Sequence, residues 1–226
     1  MEETLDYART FADVMRDVQT FMRGDLGQML AFLVAGLLFF VVVGQLFKRS
    51  KMSLRAMTYA GLLMAVAFIL SYLTLFSMPF GGSVTPISMF FVTLIGFFFG
   101  PAIGLVSALS YGLLQLVQRP TIVHPIQLLL DYPLAFGALG VSGFFWKAKN
   151  GLYIGFLVAV TARWLMHTIS GVWFFGQFAP EGWNPLPYSM AYNASYIVAE
   201  AIITSIIIAI PAVRHAIYKV RLGIHN

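Results

Sequence analysis

Long apolar stretches, broken by short clusters of charged residues, dominate the sequence. Residues 26–47 contain no charged side chain, and neither do residues 56–118. A membrane-spanning helix needs about 20 apolar residues, so the first stretch accommodates one helix and the second accommodates three. The Pro- and Gly-rich segment 79–82 and the pair Gly100-Pro101 predict the two divisions within the second stretch, because these residues favour turns.

The rest of the chain predicts three more helices, at about 123–146, 151–174 and 187–213. The pattern therefore indicates an all-α integral membrane protein, a six-helix bundle with one extra N-terminal transmembrane helix. We divide the chain into three parts on this basis. These are an exterior N-terminal segment (1–25), the extra helix with its basic cytoplasmic linker (26–50) and the six-helix domain (51–226).

Composition supports a membrane protein. Of the 226 residues, 59% are hydrophobic and only 10% are charged, whereas soluble domains carry about 25% charged residues. This excludes a water-soluble enzyme, a disordered chain and a nucleic-acid-binding protein, although the net charge is +5. The absence of Cys excludes disulfide bonds and thiolate metal sites.

The distribution of Lys and Arg predicts the orientation. With seven spans, nine basic residues fall on the side of the linker 48–55 and of the C-terminus, and four fall on the other side. Cytoplasmic loops carry the excess of basic residues, so we expect a multi-pass protein of the cell membrane with its N-terminus outside and its C-terminus in the cytoplasm. A secretory signal peptide is not expected, because its leading region would be basic and its apolar core shorter.

Polar residues inside the predicted helices point to a binding site. In this topology Asp131, Arg163, His167 and Asn193 lie on three different helices in the outer half of the membrane. An ionisable group that faces lipid costs at least about 2.5 kcal/mol, so these side chains should face inward. Polar groups that converge among aromatic residues, beneath stiff outer loops, are typical of a small-molecule pocket.

The charges inside the membrane add a weaker indication. Asp131 and Glu200 against Arg163 leave one negative charge, which a monovalent cation would balance. Glu200 lies deeper and fits a structural role, or a pair with Arg163, better than a ligand contact.

Alternatives to a ligand-binding role remain open for the other polar residues. Asp131 and Arg163 could form a salt bridge that fixes helix order, and His167 could simply be hydrogen-bonded in the core. The stripe of Tyr188, Tyr192 and Tyr196 is equally typical of packing or of an interfacial belt.

Several common motifs are missing from the sequence. It contains no G-x-x-x-x-G-K-[ST], so the chain has no P-loop with which to hydrolyse ATP, and it contains no G-x-S-x-G or H-E-x-x-H. Its two halves show no paired broken helices, which argues against a secondary transporter. His124, Asp131 and His167 lack the fixed spacing of a metal site, so we expect neither a metal nor a cofactor.

Three blocks in a fixed order carry a resemblance to a known family. They are HPIQLLLDY (124–132), RWLMHTISGVWFFGQFAPEGW (163–183) and YSMAYNASY (188–196), and GGSVTP lies in the first outer loop. Over about residues 53–215 the chain resembles the thiamine-specific substrate-binding subunits of energy-coupling factor transporters. The resemblance implies a six-helix bundle that binds a vitamin from outside, under a lid formed by the first loop. It also implies two kinds of partner, a transmembrane coupling protein and two cytoplasmic ATPases, which would fit the missing P-loop.

The resemblance also implies roles for single residues. Gly61 and Ala65 match a small-residue motif that packs on the coupling protein. Phe175 replaces a stacking Trp, and Gly82 and Pro86 stand where some members have a Trp and a Glu. The implied thiamine-binding residues are Asp131, Tyr132, Arg163, His167, Gly171, Phe175, Tyr188, Ser189 and Asn193.

Other functions remain as alternatives at this stage. The ligand could be a thiamine precursor or another vitamin, since the first loop departs from the family pattern. A standalone proton- or sodium-coupled carrier is a second alternative. An intramembrane enzyme that uses His124, Asp131 and His167 is a third, because inward-facing ionisable groups also serve catalysis.

Overall fold

The computed structural model describes residues 52–118 and 120–225, together with Val41, Gln45 and Lys48. The predicted exterior segment and nearly all of the predicted extra helix and linker lie outside the described residues. The predicted division of the chain into three parts therefore stays a prediction. Nearly all of the described residues belong to one helical body.

Seven helices and one small hairpin make up this body. Four helices, α1, α4, α5 and α6, are long and apolar enough to cross a membrane, whereas α2 and α3 are shorter apolar helices. The expectation of three full-length helices within 56–118 is therefore met in number but not in length. The elements are α1 (Leu54–Tyr72), β1 (Phe76–Ser77), β2 (Ser83–Val84), α2 (Ser88–Phe99), α3 (Pro101–Gln115), α4 (Pro125–Phe145), α5 (Gly151–Phe174), α6 (Pro185–Ala209) and α7 (Pro211–His225).

Local sequence explains where several helices begin. The Ser53 side chain accepts a hydrogen bond from the backbone N–H of Ala56 and so caps α1. Pro101 occupies the first position of α3, where its missing N–H is not needed. Gly100 has a φ of 85°, and this left-handed conformation lets one residue end α2 and begin α3. The predicted division at Gly100-Pro101 is thus confirmed.

Glycines bring α2, α3 and α4 into direct backbone contact. A Cβ atom on Gly104 would lie 2.7 Å from the Cα atom of Gly96 and 3.0 Å from the carbonyl oxygen of Gly140. A Cβ atom on Gly143 of α4 would lie 2.6 Å from backbone atoms of Gly100 and of Pro101. Close approach through small residues is a common way to pack membrane helices, where lipid offers no hydrophobic drive for association.

The first loop, residues 73–87, folds into a hairpin. Strands β1 and β2 pair in antiparallel register, with Phe76 opposite Val84 and Ser77 opposite Ser83. A short 3₁₀ turn at Pro79–Gly81 joins the strands. The loop is therefore an ordered element that can hold a defined position over the helices.

The last predicted span, 187–213, divides into two helices. α6 ends at Ala209, and α7 begins at Pro211 because proline lacks the N–H that would continue the helix. α7 is amphipathic and packs across one end of the bundle. There Arg55 donates a hydrogen bond to the carbonyl oxygen of Ile224 (2.8 Å), which brings the two ends of the described body together.

A second arginine joins α7 to the same end. Arg221 donates to the carbonyl oxygen of Trp146 and lies 4.3 Å from the ring centroid of Phe97. These contacts place the start of α1, the end of α4 and α7 at one end of the bundle. The predicted sharing of one membrane side by these basic segments is consistent with the fold, while the choice of that side as cytoplasmic stays a prediction.

Large apolar side chains cover the outer surfaces of α1, α5 and α6. Ile69 and Ile206 are each 63% exposed. In water such surfaces would be costly, at about 25 cal/mol for each Å² of apolar area. Their presence on helices of spanning length is the expected surface of a protein in lipid, and it agrees with the predicted integral membrane class.

We predict that Gly104→Ala destabilises the bundle. Replacing glycine by alanine inside a helix normally stabilises it by about 1 kcal/mol, but here the added methyl group meets the backbone of α2 and α4. Overpacking of this kind costs about 1–3 kcal/mol, so the thermal unfolding midpoint of the detergent-solubilised protein should fall. Gly61→Ala is the matched control, since a Cβ built there meets no atom within 4 Å other than those of its immediate chain neighbours and its own helix backbone. Equal midpoints for the two variants would contradict the packing argument.

Candidate functional site

One cavity of about 200 Å³ lies between α4, α5 and α6, beneath the first loop. All nine residues of the predicted ligand-binding set line it. Ten further residues complete its wall, so the cavity draws on the first loop and on α3 as well. These ten are Gly81, Gly82, Ser83, Gln115, Gln118, Thr121, Gln127, Phe136, Tyr192 and Tyr196.

The irregular helix α4 positions the acidic residue of the cavity. Pro133 lies inside this helix and has no N–H to donate to the preceding turn. The backbone widens there into a π-helical turn at Leu130–Leu134, which contains Asp131. Single π turns of this kind occur frequently at functional sites.

Two neutral side chains hold the carboxylate of Asp131. Gln127, one helical turn earlier, donates its amide to Asp131 Oδ2 (2.6 Å). His167 of α5 lies 3.0 Å from Asp131 Oδ1 through its Nδ1 atom. Gln127 is itself fixed, because it also donates to the carbonyl oxygen of Thr121 and accepts the N–H of Val123. The carboxylate is therefore oriented before any ligand arrives.

Arg163 determines the tautomer of His167. Arg163 Nε donates to His167 Nε2 (3.3 Å), and a guanidinium can only donate. His167 Nε2 is therefore the acceptor, so the ring proton sits on Nδ1 and points at Asp131. The Arg163 guanidinium also lies 4.2 Å from the ring centroid of Phe136, a cation–π distance.

The partner of Asp131 differs from the one considered from the sequence. Asp131 pairs with His167, and Arg163 reaches the carboxylate only through that imidazole. The alternative of a direct Asp131–Arg163 salt bridge is therefore wrong. His167 is hydrogen-bonded inside the bundle, and whether it also contacts a ligand stays a prediction. Asp131 and Arg163 balance each other, so the cavity wall is neutral when His167 is neutral.

Glu200 lies outside the cavity. Its carboxylate accepts hydrogen bonds from Thr85, Ser88 and the backbone N–H of Met89. The structural role expected for it is confirmed, and the suggested pair with Arg163 is wrong. The unbalanced negative charge counted from the sequence therefore does not lie in the cavity. It gives no reason to expect a monovalent cation there.

Helix α6 supplies the amide of the site. Asn193 donates to the carbonyl oxygens of His167 (3.2 Å) and Ser189 (2.9 Å), and its Oδ1 accepts from the hydroxyl of Tyr196 (2.7 Å). Ser189 in turn donates to the carbonyl oxygen of Thr168 on α5 (2.9 Å). Asn193 thus ties α5 to α6 and keeps one carbonyl lone pair for a ligand.

Close packing explains the glycine at 171. A Cβ atom there would overlap Ser189 Oγ and would lie 3.2 Å from Asn193 Nδ2. Any side chain at this position would displace the two polar groups that α6 presents to the cavity. Gly171 therefore sets how closely α5 and α6 approach.

Aromatic rings form much of the cavity wall. The rings of Tyr188 and Tyr192 lie 6.2 Å apart and those of Tyr192 and Tyr196 lie 5.9 Å apart. Phe175, the residue that follows α5, also lines the cavity, and Tyr132 of α4 accepts the N–H of Thr121 (2.8 Å). The tyrosine stripe thus faces the cavity, where it combines packing with a polar rim.

His124 takes no part in the cavity wall. Its Nδ1 accepts the N–H of Ile126 and caps α4, and its ring stacks on Phe174 at 4.9 Å. Burial lowers the pKa of His124 below its ordinary value, which favours the neutral ring that this cap requires. No group of three potential metal ligands occurs among the residues that the structure describes.

Sequence reasoning missed several lining residues. Gln127 precedes Asp131 by four residues, and this spacing places two side chains next to each other on a helix. The spacing could therefore have identified Gln127 as a partner of Asp131. Gln115 ends the mostly apolar helix α3 and Gln118 follows three residues later, which is a weaker signal. Ser83 and Thr121 belong to loops whose position depends on tertiary contacts alone.

Comparison with known proteins identifies the family. The model of the family described as thiamine transporter protein (Thia_YuaJ) matches residues 57–219. Thiamine transporter ThiT of Bacillus subtilis is 41% identical over 148 residues, which cover 59% of this chain and 77% of that protein. Thiamine transporter ThiT of Lacticaseibacillus paracasei is 28% identical over 117 residues, covering 44% of this chain and 58% of the relative.

A solved structure agrees with these matches. ThiT from Listeria monocytogenes superimposes with a TM-score of 0.58 at 25% sequence identity, covering 70% of this chain and 96% of that one. The resemblance and the helical membrane fold predicted from the sequence are therefore confirmed, and the enzyme alternative is not supported. Because the family model spans well over half of its residues, the chain belongs to the family of thiamine transporter proteins.

Proposed function

We propose that this protein captures thiamine from outside the cell in the cavity beneath the first loop, as the substrate-binding subunit of an energy-coupling factor transporter. The observation that supports this most strongly is the cluster of Gln127, Asp131, His167 and Arg163. It presents an oriented carboxylate inside a neutral, aromatic-lined cavity. The names of the relatives supply the identity of the ligand.

The chemistry of thiamine fits these residues. Its aminopyrimidine carries hydrogen-bond donors and acceptors, and Asp131 can accept from the exocyclic amine while Asn193 offers its remaining lone pair. Its thiazolium ring is a permanent cation, and each aromatic face attracts such a cation by about 0.5–2 kcal/mol. Phe175, Tyr188 and Tyr192 provide rings in the cavity wall.

The transport step requires other proteins in this proposal. The sequence has no P-loop, so ATP hydrolysis would come from two cytoplasmic ATPases, joined through a transmembrane coupling protein. Gly61 and Ala65 are exposed on α1, and a Cβ built on Gly61 meets no described atom within 4 Å other than those of its chain neighbours and its own helix backbone. Gly61 and Ala65 thus form a strip of small residues on α1, which suits the close approach of another membrane helix. The α7 end of the bundle would then face the cytoplasm.

We predict that Asp131→Asn weakens thiamine binding by about tenfold to a hundredfold, the usual worth of a hydrogen bond to a charged group. The change keeps the size of the side chain but removes its charge, and its amide would face the donors of Gln127 and His167. Quenching of tryptophan fluorescence in the purified protein measures the dissociation constant. Glu181→Gln removes an exposed carboxylate from an outer connection and is the matched control. Parent-like affinity in Asp131→Asn would contradict the site assignment.

We predict that Gly82→Ala also weakens thiamine binding. A Cβ atom at this position would lie 2.8 Å from the ring of Tyr196 and 3.0 Å from the hydroxyl of Tyr192, so the first loop could not rest against α6. Calorimetric titration should show a larger dissociation constant at an unchanged unfolding temperature. Gly223→Ala adds the same methyl group in open space on α7. If both variants bind thiamine equally well, the loop does not need its present position for binding.

We predict that Gly61→Leu separates binding from transport. The side chain points away from the cavity, so thiamine affinity should stay unchanged, whereas copurification with the coupling protein and ATP-dependent uptake should fall. Thr161→Leu, which also adds a leucine to an exposed helix position, serves as the control. Normal uptake by Gly61→Leu would refute this strip of α1 as the partner surface.

A further inference from the structure

The first loop is attached to α6 beside the cavity. The hydroxyl of Tyr192 donates to the carbonyl oxygen of Pro79 and accepts the N–H of Gly82 (3.3 Å). Gly81 and Gly82 form part of the cavity wall directly beneath this contact. The position of the loop therefore decides whether the cavity is covered.

A second attachment lies eight residues further along α6, where Glu200 is only 3% exposed. Its Oε2 atom accepts from Thr85 Oγ1 (2.7 Å) and from Thr85 N (3.4 Å), at the end of the loop. Its Oε1 atom accepts from Met89 N (2.9 Å) and from Ser88 Oγ (3.2 Å), in the first turn of α2. All four donors are uncharged N–H or O–H groups, so the carboxylate is held by hydrogen bonds.

The backbone between these donors adopts an unfavourable conformation. Ile87 has a φ of 54°, and it precedes α2 without capping that helix by its own side chain. A left-handed conformation is strongly disfavoured for a β-branched residue, and it persists only where the surroundings enforce it. Glu200 supplies the missing cap from another helix, and a negative charge at a helix N-terminus is favourable.

We infer that Glu200 is a positioning residue that holds the first loop closed over the cavity. Through its bonds to both sides of Ile87 it fixes the turn at which the loop enters α2. The same helix, α6, also carries Tyr192 and Asn193. It therefore contacts the loop through both Tyr192 and Glu200, and it lines the cavity. The inference takes the identity of the ligand from the proposed function. The contact between Glu200 and the loop does not depend on that function.

The test is Glu200→Gln in the full-length purified protein. The amide keeps the shape of the side chain but turns an N–H group toward donors, so the turn at Ile87 should loosen. Hydrogen exchange of the ligand-free protein should become faster at the backbone amides of residues 74–86 and stay unchanged in α5. Stopped-flow fluorescence should show thiamine leaving about tenfold to a hundredfold faster, as expected for a lost hydrogen bond to a charged group, with little change in the association rate.

Two further variants complete the design. Thr204→Val lies one turn away on the same helix and removes a buried hydroxyl that has no hydrogen-bond partner among the described residues, so neither the exchange nor the release rate should change. If Glu200→Gln does not fold, Thr85→Val removes the 2.7 Å bond to Glu200 together with the 2.7 Å hydrogen bond between the hydroxyls of Thr85 and Ser88. The bond from Met89 N to Glu200 remains, so this variant should show the same two effects at smaller size.

The possible outcomes separate this inference from the proposed function. Exchange and release that stay at parental values while the unfolding temperature falls would show that Glu200 merely stabilises the fold, and would overturn the inference. If the parent protein does not bind thiamine, the proposed function fails, and the exchange of residues 74–86 in the ligand-free variants still decides the role of Glu200.

Discussion

Hydrogen bonding of charged groups inside an apolar bundle is the constraint on which this structure depends. The membrane-spanning helices offer almost no polar surroundings, so an ionised Asp131 can exist there only when other groups satisfy its oxygens. Gln127 and His167 do so, and Arg163 orients the imidazole and balances the charge. These groups come from α4 and α5, so the requirement that stabilises the carboxylate also brings those helices into register.

Helix α6 lines the site and also holds the first loop above it. Asn193 joins α6 to α5 through backbone carbonyl oxygens, while Tyr192 and Glu200 join the same helix to the first loop. Residues proposed to contact the ligand, helix packing and loop position therefore depend on the same rigid helix. Preorganisation of this kind reduces the entropy that binding would otherwise cost, which favours tight binding of a small molecule.

The sequence predicted much of this architecture, for clear physical reasons. Apolar length located α5 at 151–174, and the turn chemistry of Gly100-Pro101 located the break between α2 and α3. The nine implied ligand residues converge on one cavity, although their contacts with thiamine stay a prediction. Other features were beyond sequence reasoning. The partners of Glu200 lie more than 110 residues away and include a backbone N–H, which has no sequence signature.

The central claim is that thiamine binds in the cavity between α4, α5 and α6. Anomalous scattering from crystals grown with thiamine tests it most directly, because the vitamin contains one sulfur atom and the chain contains 11 Met and no Cys. The account predicts one sulfur peak beyond those of the methionines, inside the cavity lined by Asp131, His167 and Tyr188. An extra peak elsewhere on the protein, or none in crystals shown to contain the vitamin, would contradict it.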